Sequence, residues 1–309
     1  MGFIIKFIYD LVQNYGLAII LFTVLIKLVL IPLSVKSQKA MRKQQKIQPY
    51  LMELQKKYEN DKEKLQTETM KLYKENNISM AGGCLPLLIQ MPILFGLYSV
   101  IQKPLTYLMG VDFSVAENLA KVSDIAAKMA ADHADIIGKL ASYSPEQLVK
   151  TAQIQLSTWC NIVNGAGDPW VMNFKFLGLD LSVVPKVSLS YIFSGQFMYI
   201  DRVLLILIPV IAIFTTWISM RQSQKMTQMP DNAEANATAQ SMNKSMNLMM
   251  PIMTGFFAFT LPSGLGLYWI ISNVMQIIQQ QLLNNYFKNK GDDFDVKIPG
   301  KNRKNGKKR

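Results

Sequence analysis

Apolar residues come in blocks along this chain, divided by long polar stretches, instead of alternating through it. The block at 16–35, GLAIILFTVLIKLVLIPLSV, is twenty residues long. At 1.5 Å of rise per helical residue it reaches roughly 30 Å, the thickness of a bilayer's hydrocarbon core. Blocks at 84–107, 202–220, 246–261 and 265–283 read as further crossings. The pattern predicts an all-α polytopic membrane protein with five transmembrane helices. Residues 1–15, MGFIIKFIYDLVQNY, set Lys6 and Asp10 among apolar and aromatic side chains, which suits a short amphipathic helix at the outer interface. Pro86 and Pro92 free backbone carbonyls that neighbouring helices must satisfy, so the second crossing belongs inside a bundle, and Pro209 lies inside the third.

The polar stretches carry their own periods. In 36–80, Ile47, Leu51, Leu54 and Tyr58 fall at i, i+4, i+7 and i+11, one face of a helix. A turn at Glu59-Asn60-Asp61 follows, then Leu65 and Leu72 seven residues apart on a second arm. This predicts a helical hairpin in the cytosol, with Pro49 kinking its first arm. Two amphipathic helices lying flat on lipid fit the same stripe. Residues 108–201 predict an external helical region: alanine-rich 115–140 favours helix, and Ser144-Pro145-Glu146-Gln147 is a capping box expected to open a helix to about Trp159. The Phe- and Leu-rich 170–187 suggests a dip into the interface, with Lys175, Asp180 and Pro185 arguing against a full crossing. Residues 221–245 form a Gln/Asn/Ala-rich loop, Pro262-Ser263-Gly264 a tight turn, and Tyr268 with Trp269 mark the outer interface. Met246, Met249, Met250 and Met253 suit either a variable apolar surface or a flexible helix interface.

Charge orients this frame. Residues 36–79 carry 11 Lys or Arg against 6 Asp or Glu, and the tail from Lys288 carries nine against three. Between 103 and 201, seven lysines face nine acids. By the positive-inside rule the hairpin, the 221–245 loop and the 284–309 tail are cytoplasmic, and the N-terminus is outside. The net charge of +12 seeks phosphate, with Lys301, Arg303, Lys304, Lys307, Lys308 and Arg309 in the tail as the densest cluster. Ribosomal RNA and anionic lipid both supply it, and non-specific retention at the membrane surface is the plainer alternative. With one histidine and two distant cysteines, the sequence encodes no metal site, cofactor, disulfide framework or catalytic constellation, so no enzyme is expected. No cleavable signal peptide is expected before Gly16.

Lys27 interrupts the first apolar block near mid-membrane, where a charge facing lipid costs about 3 kcal/mol on insertion scales. No Asp or Glu occurs in the long apolar blocks to pair with it. Lys27 therefore lines a polar cavity, or else sits nearer an interface or serves packing. Gln90 in the second block is either packing glue or a second polar lining group.

AIILFTVLIKLVLIPLS (18–34), KIQPYLMELQKKY (46–58), GCLPLLIQMPILFGLY (83–98) and LPSGLGLYWIISNVMQIIQQ (261–280) together resemble the YidC/Oxa1/Alb3 membrane protein insertase family, in its bacterial five-helix core form. The resemblance covers four of the five crossings and the hairpin, with Pro49 and Tyr58, in the family's order. It implies an amphiphilic groove open to cytosol and lipid and closed to the outside. It also implies insertion and chaperoning of nascent membrane proteins, alone or with the Sec translocon, and with no organellar transit peptide expected, a bacterial plasma membrane. Carried over by position, Lys27 stands where the family has its groove arginine, Gln90 at the groove-facing position of the second helix, and Asn273 at a polar position of the fifth. The chain departs from the family in three respects: lysine for arginine, no proline in Ser79-Met80-Ala81-Gly82, and a longer external region. It shows no lipoprotein cysteine and no large N-terminal external domain. A transporter, channel or lipid scramblase would also need a buried charge, but no inverted repeat supports the first two.

Overall fold

The computed structural model describes residues 2–78, 85–185, 200–225, 237–289 and 297. The helices are α1 (Gly2–Val12), α2 (Tyr15–Val29), α3 (Ile31–Lys57), α4 (Lys62–Glu75), α5 (Leu85–Gln102), α6 (Pro104–Tyr107), α7 (Ala116–Asp132), α8 (Ala134–Ile137), α9 (Pro145–Thr151), α10 (Gln153–Asn164), α11 (Ile200–Lys225), α12 (Ala237–Thr260) and α13 (Ser263–Asn289). A short 3-10 helix at Gly138–Ser142 follows α8. The fold is mostly helical, as the apolar blocks require. By length and apolarity, Leu204–Ser223 within α11 can cross a membrane among the described residues, the interrupted pair α2 and α3 makes a second candidate, and Met249–Thr260 of α12 is apolar but shorter.

Local chemistry sets several element ends away from the block edges. Helix continuity fails at Leu30 because Pro32, near the start of α3, has no N–H and its ring crowds the carbonyl four residues back. From there α3 runs 27 residues without a boundary at 35, so the apolar end of the first block and the first polar arm are one helix, and it passes through Pro49. The capping box forms as the sequence predicts: Ser144 Oγ accepts from Gln147 N at 3.3 Å, and Gln147 Oε1 accepts from Ser144 N at 2.8 Å. The helix it opens stops at Thr151, short of Trp159. After Ala152 the chain re-enters helix as α10 and continues to Asn164.

Two compact units make up the chain. The first contains 1–27, 90–215 and 253–273. Its polar part has a core of its own in which Val122, Ile125, Leu148 and Leu156 are fully buried, with Trp159, Cys160 and Trp170 beside them. One ion pair closes this core: Lys121 Nζ lies 2.8 Å from Asp168 Oδ2 and 4.3 Å above the Trp170 ring. Burial works against the Asp168 carboxylate, yet the Lys121 ammonium and N–H donors from Trp170 and Asn164 hold its pKa below the usual range. The Cys160 thiol is pushed up to about 12 by burial and, secondarily, by the Asp168 charge. In a Cys84→Ser background the native protein should resist maleimide at pH 8 and label fully once denatured; rapid native labelling would contradict this packing.

A β-hairpin in this unit departs from the all-α expectation. Lys175–Phe176 pairs antiparallel with Leu179–Asp180 through Leu177 and Gly178, at φ +50° and +82°. Met172, Phe174 and Leu181 around it are buried, so the part of 170–187 before Lys186 forms a packed hairpin, while 186 and 187 lie outside the described residues. Alternation of Met172, Phe174 and Phe176 with Asn173 and Lys175, followed by Leu-Gly, is the period-2 signal that strands leave.

The second unit contains 28–89, 216–252 and 274–309. Here α3 and α4 close on Ile47, Leu51, Leu72, Tyr73 and Ile78, flanked by Tyr50 and Leu54. Asp61 caps α4 by accepting from Lys64 N at 3.0 Å, which accounts for the turn at 59–61. Arg42 ties α3 to α13, donating to Asn284 Oδ1 at 2.8 Å and lying 4.7 Å from the Phe287 ring centroid. At the end of α4, the buried Asn76 side chain donates to Lys297 O at 2.8 Å and accepts from Lys297 N at 2.7 Å. Lys297, within the basic tail, is thereby held at the end of the second arm.

Candidate functional site

Helix α2 sorts its residues by face. Tyr15, Ile19 and Thr23 are almost completely buried, while Leu17, Leu21 and Leu25 are exposed. Steps of four residues turn a helix by about 400°, so Tyr15, Ile19, Thr23 and Lys27 form one slowly drifting stripe. Thr23 Oγ satisfies itself by donating to Ile19 O at 2.6 Å. Lys27 continues the inward stripe, half-buried, and makes no ion pair or hydrogen bond among the described residues. An ammonium on a helix's packed face is costly unless water or a ligand reaches it.

Helix α5 buries Ile93, Leu97, Val100 and Ile101, and Gln90 precedes the first two by three and seven residues on the same face. Gln90 Nε2 donates to the Tyr268 hydroxyl of α13. Tyr268 is 2% exposed, so its assignment as an interfacial marker is corrected: it is a buried polar anchor between α5 and α13. Trp269 is partly exposed and stacks on Phe257, ring centroids 6.3 Å apart. Asn273, five residues on, donates to Thr215 Oγ of α11 at 3.3 Å.

Small residues bring these backbones together. A Cβ at Gly266 would sit 2.6 Å from Ile208 Cγ2, and one at Gly255 2.9 Å from Ile213 Cδ1. A Cβ at Gly264 would sit 3.2 Å from the Tyr15 ring. Close approach at glycine is how helices pack where no hydrophobic effect separates side chain from solvent.

Of the residues singled out from sequence, Gln90 and Asn273 are thus both tied through α13, and Lys27 shares the unit without bonding to either. Pro49 lies inside α3, and Tyr58 ends it half-exposed, with the ammonium groups of Lys57 and Lys64 at 5.2 and 5.9 Å from its ring. Lys301, Arg303, Lys304, Lys307, Lys308 and Arg309 lie outside the described residues, as does the Ser79-Met80-Ala81-Gly82 segment. Sequence reasoning missed Tyr268 and Thr215 as partners and Asn76 as the tail's anchor. A tyrosine or threonine in an apolar run carries no sign of its bonding partner, and Asn76 reads as an ordinary helix-ending residue.

With the geometry in place, the comparisons decide the family. The profile described as 60Kd inner membrane protein matches residues 7–290. The chain belongs to the YidC/Oxa1/Alb3 family. It is 30% identical over 281 residues to "Membrane protein insertase YidC 2" of Listeria innocua, covering 90% of this chain and 66% of that protein. To "Membrane protein insertase YidC" of Syntrophus aciditrophicus it is 34% identical over 203 residues, 64% of this chain and 35% of that protein. Against the Clostridium perfringens protein of the same name, identity reaches 53% over 106 residues, 34% and 44% of the two chains. The chain spans between about a third and two thirds of the length of these relatives. Family membership makes this a membrane protein, of a bacterial cell membrane as in these relatives.

Proposed function

We propose that the chain is a membrane protein insertase, as the relatives are named, with five crossings at 16–35, 84–107, 202–220, 246–261 and 265–283. The observation that carries the reading is Lys27, on the packed face of α2 and without a carboxylate partner among the described residues. A hydrated groove beside it shortens the hydrocarbon path of a polar flank and lowers its desolvation cost. Lys27 draws an acidic flank inward as a compact point charge, without the bidentate fork an arginine offers. Gln90 and Asn273 supply neutral polar lining, and the apolar segment of the substrate leaves sideways into lipid. No covalent step is required. Nascent membrane proteins are the substrates, with the ribosome, the Sec translocon and anionic lipids as partners.

Reconstitution into liposomes with a labelled single-span substrate tests the function. Protease protection of the substrate's flank supports insertion, whereas transport of small solutes or flipping of labelled lipid without protection would favour the channel, transporter or scramblase reading.

Topology has its own test. Ala127 and Gln66 are exposed on α7 and α4. Cysteines placed there should label only from outside and only from the cytoplasmic side, respectively, in intact cells and inverted vesicles. Reversed labelling would overturn the orientation.

A further inference from the structure

The β-hairpin tip has features that an aqueous turn lacks. Leu177 is 87% exposed, the largest value among the exposed large apolar side chains of the described residues, and holds φ at +50°. The left-handed region is reached readily by glycine and by asparagine or aspartate, whose short polar side chains also suit water. A leucine there is disfavoured by its backbone and by its surroundings at once, and such a coincidence points to a role for the side chain.

The tip is held firmly in place. Phe176 packs directly over Gly16, where any Cβ would collide with it, and the Phe174 ring meets Tyr15 edge-on at 5.1 Å. Just after the other strand, Gly264 N donates to Leu181 O at 2.9 Å, while Ser263 donates to Val183 O through N at 3.0 Å and Oγ at 2.7 Å. The hairpin is therefore clamped to the first turns of α2 and α13, the ends of two proposed crossings. Immediately after Gly16, Leu17, Leu21 and Leu25 form an exposed apolar strip along α2 at helical spacing. Lys175, two residues before the tip, is exposed and basic.

We propose that this hairpin is a lipid-inserting tip: Leu177 enters the outer leaflet just below the headgroups, continuing the lipid-facing strip of α2, and Lys175 meets a lipid phosphate. The arrangement follows the rule for interfacial anchors, an apolar wedge with a cation beside it. It gives the external region a second attachment to the membrane and fixes where its packed core stands over the bundle. The inference rests on the proposed orientation and on the crossing assigned to α2.

The test uses the full chain with Cys84→Ser and Cys160→Ser, an environment-sensitive fluorophore on Leu177→Cys, and liposomes of phosphatidylcholine and phosphatidylglycerol. Matched probes go on Phe214→Cys, exposed on α11, and Ser123→Cys, exposed on α7. The Leu177 probe should be blue-shifted and quenched by a nitroxide near the top of the acyl chain at least about twofold more than by one near its end. Phe214 should be quenched by acyl-chain nitroxides and Ser123 by neither. An unquenched Leu177 beside a quenched Phe214 overturns the tip while leaving the crossings standing. If Phe214 is unquenched as well, the membrane-spanning reading itself fails. Equal quenching of Ser123 and Leu177 also overturns the proposal, since the whole region would then lie on lipid.

Discussion

Replacing Lys27 with alanine will reduce insertion of a single-span substrate with several acidic residues in its translocated flank by roughly tenfold, while Lys27→Arg will keep most of it. A carboxylate drawn to about 6 Å from an ammonium, at an effective dielectric of about 20, gains about 3 kcal/mol. Hydration of a groove open to water takes back on the order of half, and 1.4 kcal/mol corresponds to a factor of ten in rate. A neutral flank gains none of this, so the alanine variant should insert it nearly as well as the parent chain. The contrast between flanks is the discriminating measurement, because a merely structural loss would slow both substrates alike. Protease protection at matched protein levels reads it out. Equal insertion of the acidic flank by the alanine variant would show that the charge does not act on the substrate.

The parts of this molecule legible from sequence are those governed by a single period. The stripe Ile47, Leu51, Leu54 and the apolar Leu72 meet in one packed cluster, because the two arms bury their apolar faces against each other. The Ser144 capping box forms for an equally local reason. Where contacts between distant segments decide, sequence reasoning stopped short. Tyr268 looked like an interfacial aromatic by position and type, yet α5 supplies Gln90 to its hydroxyl 178 residues away in sequence and buries it. The hairpin at 175–180 was masked by aromatic content, which reads equally well as a membrane-surface segment. Its strands of two residues each are held by Gly16 and by the start of α13, neither of which lies near them in the chain.

The same distinction applies to the candidate site. A charge in an apolar block is visible in the sequence by its cost alone, and the stripe shared with Tyr15, Ile19 and Thr23 gives the inward direction of Lys27. Which neutral groups accompany it depends on how helices pack, and glycine contacts such as Gly266 against Ile208 and Gly255 against Ile213 carry that information only once the backbones are in place. Gln90 and Asn273 were nameable as polar residues in apolar runs; that both hydrogen-bond through α13 was not.

Truncation after Gly300 will lower the affinity of the detergent-solubilised protein for ribosomes by roughly two to three orders of magnitude at low salt, if the basic tail is what binds the proposed ribosome partner. The cut removes Lys301, Arg303, Lys304, Lys307, Lys308 and Arg309, six of the nine basic residues that follow position 287. Removing six cations from one short segment takes away the densest positive charge that a phosphate surface could attract. If each cation displaces condensed counterions from RNA, the slope of log affinity against log salt should become shallower by about 4. The cut is placed beyond Lys297 because Asn76 holds that residue's backbone through two hydrogen bonds, so this contact survives and only the six cations after it are removed. Asn76→Ala in the full chain removes the anchor and keeps the charge; it should change the reach of the tail and leave the salt slope intact. Vesicles rich in phosphatidylglycerol, tested separately, address the rival partner. A truncated protein that binds ribosomes as tightly as the full chain through the whole salt titration, but binds anionic vesicles less well, would assign the tail to lipid.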